Sequence, residues 1–108
     1  MKLARLDDAH HATPDQYVAL PLIQGAQSSL RLIRLAAGQA LPPHRHGSSD
    51  LILYVVKGLG ELGPPDESVT CERGTVAYLR GDEELQVRNT GLSEMTLLAF
   101  LARTPDSS

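Results

Sequence analysis

Two histidines separated by one residue, His44 and His46, are the clearest candidates for chemistry in this chain of 108 residues. On a β-strand, side chains two residues apart point to the same face. Two neutral imidazoles on one face can supply part of the ligand set of a divalent metal ion. The alternative is that the two rings hydrogen-bond only to each other, to water or to the backbone. The spacing therefore indicates either a metal or ligand site or a structural pair.

The residues around the histidines favour short β-strands. Short apolar runs recur between turns rich in glycine and proline, and no long amphipathic helical pattern interrupts them. These runs predict strands over residues 17–22, 29–35, 51–56, 68–72, 75–79, 85–89 and 94–101, with one more strand between Gly58 and Pro65. Strands at such regular spacing are typical of an all-β sandwich or barrel.

The histidine segment resembles the first motif of the cupin superfamily. Gly38 is followed after five residues by His44-x-His46, and Gly58 closes the motif. A second cupin motif is resembled by the segment from Gly74 to Gly91, which ends in Arg88-Asn89-Thr90-Gly91. The resemblance spans residues 29–100 and implies a small single-domain, RmlC-like cupin, whose fold is a double-stranded β-helix or jelly-roll barrel.

The resemblance also implies a ligand set for a metal. In metal-binding cupins two histidines and a glutamate of the first motif and a histidine of the second bind the ion, here iron, zinc, nickel or manganese. Carried over to this chain, His44 and His46 are retained, Leu51 stands at the glutamate position and Leu85 at the histidine position. The resemblance thus predicts a degenerate site in which metal is weak or absent.

A third metal ligand could come from either of two regions of the chain. Asp50 precedes the glutamate position by one residue, but strand alternation places it on the face opposite Leu51. His10 or His11 could be delivered by the N-terminal arm of the same or a partner chain. Both histidines lie in a polar leader, where solvation is the ordinary state.

Leucine at two ligand positions predicts a dry pocket suited to a small apolar or aromatic ligand with one polar group. We predict that the pocket is lined by Leu51, Leu53, Tyr78, Leu85 and Val87. The orientation of Tyr54 and Tyr78 stays open. Arg31 and Arg34 lie on opposite faces of one predicted strand, so one of them can point inward and attract an anion; the alternative places both at a strand edge or dimer rim.

Length and composition indicate one compact domain, divided into an N-terminal arm (1–16), a barrel (17–103) and a C-terminal tail (104–108) that we expect to be frayed. The net charge is −3 and no basic cluster stands out, which argues against nucleic-acid or membrane partners. The single cysteine, Cys71, and the absence of a signal-peptide pattern favour a cytoplasmic protein.

Three functions stay open on this sequence. The first is a small-molecule binding or sensing barrel with weak or absent metal. The second is a metal-dependent enzyme, dioxygenase-like or isomerase-like, that uses His44, His46 and an atypical third ligand. The third is a structural or interaction module. We also predict a homodimer, because the strand at 17–22 has no partner close in sequence and an unpaired edge strand tends to find a second chain.

Overall fold

The computed structural model describes residues 1–103, and the predicted tail (104–108) lies outside the described residues. The predicted all-β jelly roll is confirmed: the described chain contains strands, turns and one short 3-10 helix at Leu6–Asp8, and no α-helix. The strands are β1 (Val18–Gln24), β2 (Ser28–Leu35), β3 (Ala40–His44), β4 (Ser49–Lys57), β5 (Leu59–Leu62), β6 (Val69–Glu72), β7 (Val76–Leu79), β8 (Leu85–Asn89) and β9 (Met95–Arg103).

The strands form two antiparallel sheets that face each other. The larger sheet has the order β1-β2-β9-β4-β7, and the smaller has the order β3-β8-β5-β6. Alternate residues of β4 and β8 are buried, as expected for strands with one face toward a core. The core between the sheets is aliphatic and includes Ile33, Leu35, Leu41, Leu51, Leu53, Val55, Leu85, Val87, Met95 and Leu97.

The strand predicted over residues 17–22 is not unpaired. Its observed form, β1, pairs antiparallel with β2, with Val18 opposite Arg34 and Gln24 opposite Ser29. The turn between them closes through the amide of Gly25, which donates to the Ser28 carbonyl at 2.8 Å. Our argument for a dimer from an unpaired strand is therefore wrong, because the partner strand is the next one along the chain.

The N-terminal arm is packed onto the molecule. It crosses the outer face of the larger sheet, where the guanidinium of Arg34 donates to the carbonyl oxygens of Leu6, Ala9 and His10 at 2.7–3.1 Å. The carboxylate of Glu94 accepts from the amide of Ala12 at 2.8 Å. The arm covers β2 there, which explains why the outward residues Leu32 and Arg34 are 0% and 3% exposed.

The strand that carries the first histidine was not among the predicted strands. β3 contains Pro42 and Pro43, which cannot donate to a ladder and which hide the strand from a propensity reading. The structure places β3 at the edge of the smaller sheet and accommodates the prolines with a register shift between Leu41 and His44. An edge position is where proline is tolerated in a sheet.

Candidate functional site

His44 stands at the end of β3 and belongs to the inner side of the smaller sheet. Its Cα is paired with Leu85 of β8, whose side chain is 1% exposed and lies in the core. The Nδ1 atom of His44 lies 3.0 Å from the Pro42 carbonyl oxygen. This contact is made by Nδ1–H donating to the carbonyl, which leaves Nε2 of His44 available for a second contact.

His46 lies beyond the end of β3, in the turn before β4. Its amide donates to the Gly81 carbonyl at 2.9 Å, so the turn after the first motif is fastened to the turn between β7 and β8. The backbones of the two turns approach so closely that a Cβ at Gly81 would overlap the carbonyl group of Gly47. Glycine at position 81 therefore permits the approach that positions His46 at the open end of the barrel, which we call the mouth.

The two imidazoles are in contact. Their ring centroids are 4.6 Å apart and the rings are inclined by 64°. The Nδ1 atom of His46 is buried and has no hydrogen-bond partner among the described residues. Burial, the neighbouring His44 and the positive charge of Arg31 all lower the pKa of His46, so its ring is neutral at neutral pH. A neutral ring with an unpartnered nitrogen can donate to, or accept from, a bound molecule.

Arg31 is the inward arginine of β2. Position 31 shares its strand face with Ile33 and Leu35, which belong to the core, and its charge acts on His46. Arg34 faces the opposite way and lies beneath the arm. The two-residue period of a strand already separated these side chains, but only the packing of the sheets decided which of them faces the interior.

The four apolar residues of the predicted pocket are all interior. Leu51 and Leu53 are 0% exposed, and Leu85 and Val87 are 1% exposed. They pack into the core and so fill much of the space that an open pocket would need. Leu85 also borders a cavity of about 240 Å3 between the sheets, together with Leu62, Ala77 and Leu79.

Tyr78 does not line the interior, contrary to our expectation. Its side chain is 58% exposed on the outer face of β7, because the neighbouring positions Ala77 and Leu79 take the inward orientation. Its hydroxyl donates to Asp50 at 2.9 Å, and this hydrogen bond raises the pKa of Tyr78. Tyr54 is 38% exposed on the same outer face.

The candidate third ligands lie away from the histidine pair. Asp50 holds the Tyr78 hydroxyl on the outer face of the larger sheet. His11 of the arm is engaged with Glu94, at 2.8 Å from Nδ1 to the carboxylate. The arm carries His10 and His11 over the outer face, whereas His44 and His46 belong to the inner side. Among residues 1–103, no three His, Cys, Asp or Glu side chains lie together in a way that could hold a metal ion.

The single thiol is also remote from a catalytic role. Cys71 is 1% exposed in the core, and burial raises the pKa of its thiol. A protonated, buried thiol is a poor nucleophile, so a packing role fits it best.

In the described part of the chain no helix has the length and apolar character needed to cross a membrane.

The geometry of the two motifs agrees with a family match. Residues 31–101, about two thirds of the chain, match the family described as the cupin domain. The chain is a cupin. This confirms the resemblance drawn from the sequence, including its limits, which we placed at residues 29–100. No curated relative matches this sequence.

Solved structures with this fold include close matches over nearly the whole cupin. A protein of Thermus thermophilus is 26% identical with a TM-score of 0.83, covering 97% of this chain and 100% of its own. An RmlC-like cupin of Desulfovibrio desulfuricans is 26% identical with a TM-score of 0.80, covering 94% and 96%. The Cupin_2 domain of an XRE family transcriptional regulator from Enterobacter cloacae is 17% identical with a TM-score of 0.72, covering 82% and 98%.

Cupins often bind transition metals, so the donor set of this cupin is decisive. A catalytic metal usually has three protein ligands and an open position. Here two imidazoles are present, and the two remaining family positions hold the buried side chains of Leu51 and Leu85, which cannot coordinate. The described residues therefore do not fit a tight metal centre.

Proposed function

We propose that this cupin is a small-molecule binding or sensing protein whose site is the mouth of the barrel and which works without a tightly held metal. The observation that carries the proposal is the histidine pair, in contact at 4.6 Å with a buried, unpartnered nitrogen on His46. A buried polar atom without a partner costs free energy, about 1–3 kcal/mol, which a bound molecule can recover. The fold also serves as a domain of a transcriptional regulator in Enterobacter cloacae, so it is compatible with a sensing role.

Metal analysis tests the first half of this proposal. We expect the protein purified without added metal to contain far less than one equivalent of iron, zinc, nickel or manganese. The double substitution Leu51→Glu and Leu85→His restores the family ligand set at positions that are both interior, and we expect it to create a tight site.

The opposite result would favour the enzyme. Stoichiometric metal in the wild-type protein, lost on His44→Ala, would mean that a third ligand is recruited, and a metal-dependent dioxygenase-like or isomerase-like reaction would become the leading function. A double variant that folds normally but gains no metal affinity would contradict the placement of positions 51 and 85 next to the histidines.

Ligand binding tests the second half. A library of small neutral and charged compounds is screened by thermal shift, and hits are located by the imidazole NMR signals of His44 and His46. Saturable binding that perturbs both rings supports a binding or sensing role. A barrel that binds none of the compounds would instead favour a structural or interaction module.

We further propose a homodimer through the outer face of the larger sheet. Five large apolar side chains are 38–62% exposed there: Ile52, Tyr54, Val76, Tyr78 and Phe100. They are direct neighbours across three strands, because Ile52 is paired with both Tyr78 and Phe100, and Tyr54 is paired with Val76. A contiguous apolar patch of this kind marks an interaction surface, and a second copy of the same chain can cover it symmetrically.

Light scattering on the purified protein tests the dimer. We expect twice the 11.7 kDa mass of one chain at micromolar concentration. The substitution Ile52→Lys should shift the protein to the monomer, whereas Leu92→Lys, at a 98% exposed position outside the patch, should not. A wild-type monomer would contradict this proposal.

A cytoplasmic location of the protein remains a prediction.

A further inference from the structure

A row of apolar side chains crosses the outer face of the larger sheet from one edge to the other. Ile23 of β1 is paired with Leu30 of β2, and Leu30 is paired with Phe100 of β9. Phe100 is paired in turn with Ile52 of β4, which is paired with Tyr78 of β7. Paired residues of neighbouring strands place their side chains on the same face of a sheet. The row is therefore continuous from β1 to β7.

At its β1 end this row forms one wall of a cavity, which we call the edge cavity. Its volume is about 590 Å3, and Ile23, Leu30 and Phe100 all line it. The remaining walls are the turn between β1 and β2, the two serines that follow it, and Lys2 of the N-terminal arm. Sites for drug-sized molecules typically have volumes of about 300–1,000 Å3, so the edge cavity is large enough for a short hydrocarbon chain or a ring.

Lys2 is the one charged side chain among the described residues that line the edge cavity. Its ammonium donates to the Gln24 carbonyl at 2.8 Å, which holds the positive charge at the wall. An ammonium has three donors, so two remain for another acceptor, and Ser28 adds a hydroxyl to the same wall. The carboxylate of Asp50 lies two strands away from Ser28 and accepts from the Tyr78 hydroxyl. The charge of Lys2 therefore favours an anion in the edge cavity.

We infer that the edge cavity binds a medium-chain fatty acid or a similar small apolar carboxylate, with its hydrocarbon part along the apolar row and its carboxylate beside Lys2. Burial of the hydrocarbon supplies most of the affinity, and the ion pair with an exposed lysine adds a smaller part. The proposed dimer uses side chains of β4, β7 and β9, and Phe100 alone belongs to both surfaces. The edge cavity does not include the histidines of the mouth, so the inference does not depend on the proposed function.

Titration calorimetry with octanoate, octanol and octylammonium tests the preference for an anion, and NMR locates the ligand. We expect saturable binding of octanoate, weaker binding of octanol and no detectable binding of octylammonium. Phe100 is the only phenylalanine of the chain, so shifts of its ring signals assign binding to the edge cavity. The imidazole signals of His46 report on the mouth and should not shift.

Two substitutions separate the charge from the apolar wall. Lys2→Gln should weaken octanoate binding about threefold, as expected for one exposed ion pair, and should leave octanol binding unchanged. Lys57→Gln removes the only other lysine of the chain, which lies beside Glu94, and should leave octanoate binding unchanged. Leu30→Trp should fill the cavity and weaken binding of both compounds about tenfold or more. Should it not fold, Leu30→Ala removes apolar wall instead and should also weaken both.

Four results would overturn the inference. They are no saturable octanoate binding, equal octanoate affinity of wild-type protein and Lys2→Gln, unchanged affinity in the Leu30 variant that folds, or shifts at His46 without shifts at Phe100. Octanoate binding by Ile52→Lys but not by wild type would mean that a second copy occupies the cavity, which also overturns it. So would binding to phosphatidylglycerol vesicles without binding of octanoate, because the occupant would then be a membrane surface. The proposed function survives each of these failures, since it concerns metal content and ligands at the histidines.

Discussion

Arg31 and Arg34 lie on one strand and carry the same charge, but their side chains differ in their polar contacts. Arg34 is 3% exposed and donates to three carbonyl oxygens of the arm, with Glu94 3.7 Å from its Nε atom. Arg31 faces the barrel mouth and has no such partners among the described residues. Polar groups therefore surround the guanidinium of Arg34, whereas none contacts the guanidinium of Arg31 among the described residues.

The contrast separates a structural charge from a charge available for binding. A buried cation whose two terminal nitrogens donate to the carbonyl oxygens of another segment stabilises a particular packing, here the docking of residues 1–16 on the larger sheet. A cation of equal charge whose side chain has no polar partner among the described residues contributes no such contact to the fold. Satisfaction of hydrogen bonds therefore distinguishes the two regions better than residue type does.

The largest expected effect on stability comes from replacing each of the two arginines in turn. Arg34→Met removes the guanidinium that donates to the carbonyls of Leu6, Ala9 and His10, and it removes one of the cations beside Glu94. We expect the free energy of unfolding in urea to fall by about 3–5 kcal/mol. The matched substitution Arg31→Met removes no hydrogen bond, and we expect a change within about 1 kcal/mol. Equal losses in the two variants would show that Arg31 also holds the fold together.

A second prediction concerns how the mouth is positioned. Gly81→Ala places a methyl group against the carbonyl group of Gly47, and backbone cannot move aside as a flexible side chain does. We expect a loss of about 1–3 kcal/mol in unfolding free energy, together with changed NMR signals of His46. Gly25→Ala, where the nearest atoms are 3.4 Å away or more, serves as the control and should cost less. Unchanged His46 signals in Gly81→Ala would contradict the backbone contact.

The smallest effect is a pH dependence at the arm. Burial alone would raise the pKa of Glu94, but hydrogen bonds from His11 and the Ala12 amide, with the charges of His11 and Arg34, lower it below its usual value. A carboxyl whose pKa is lower in the folded state stabilises the protein above its unfolded pKa, about 4.3, and loses that contribution as the pH falls through the folded pKa.

We therefore expect Glu94→Gln to be less stable than the wild-type protein by about 1–2 kcal/mol at pH 7. The difference should shrink as the pH falls below about 4.3. Unfolding in urea across this pH range measures it. His11→Gln is the control, because the exposed His11 ring contributes only one of the contacts, and we expect a smaller loss there. A difference between Glu94→Gln and wild type that is constant with pH would contradict the linkage.

Much of the fold followed from local patterns in the sequence. The spacing of Gly38, His44, His46 and Gly58 identified the first cupin motif, and the family match over residues 31–101 agrees with it. Strand alternation predicted that Leu85 and Val87 share an inward face, and both are 1% exposed. These properties are local, because a strand repeats every two residues and a motif lies within one stretch of chain.

Tertiary structure decided what local patterns could not. The sequence separated Arg31 from Arg34 but did not say which one faces inward, since that depends on which face the second sheet covers. It also did not pair His11 with Glu94, which are 83 residues apart, or bring Gly81 against Gly47 to place His46. Such contacts join distant segments and exist only after the sheets have packed. The sequence therefore identifies the residues of the candidate site, and the fold determines which of its charged side chains have no polar partner.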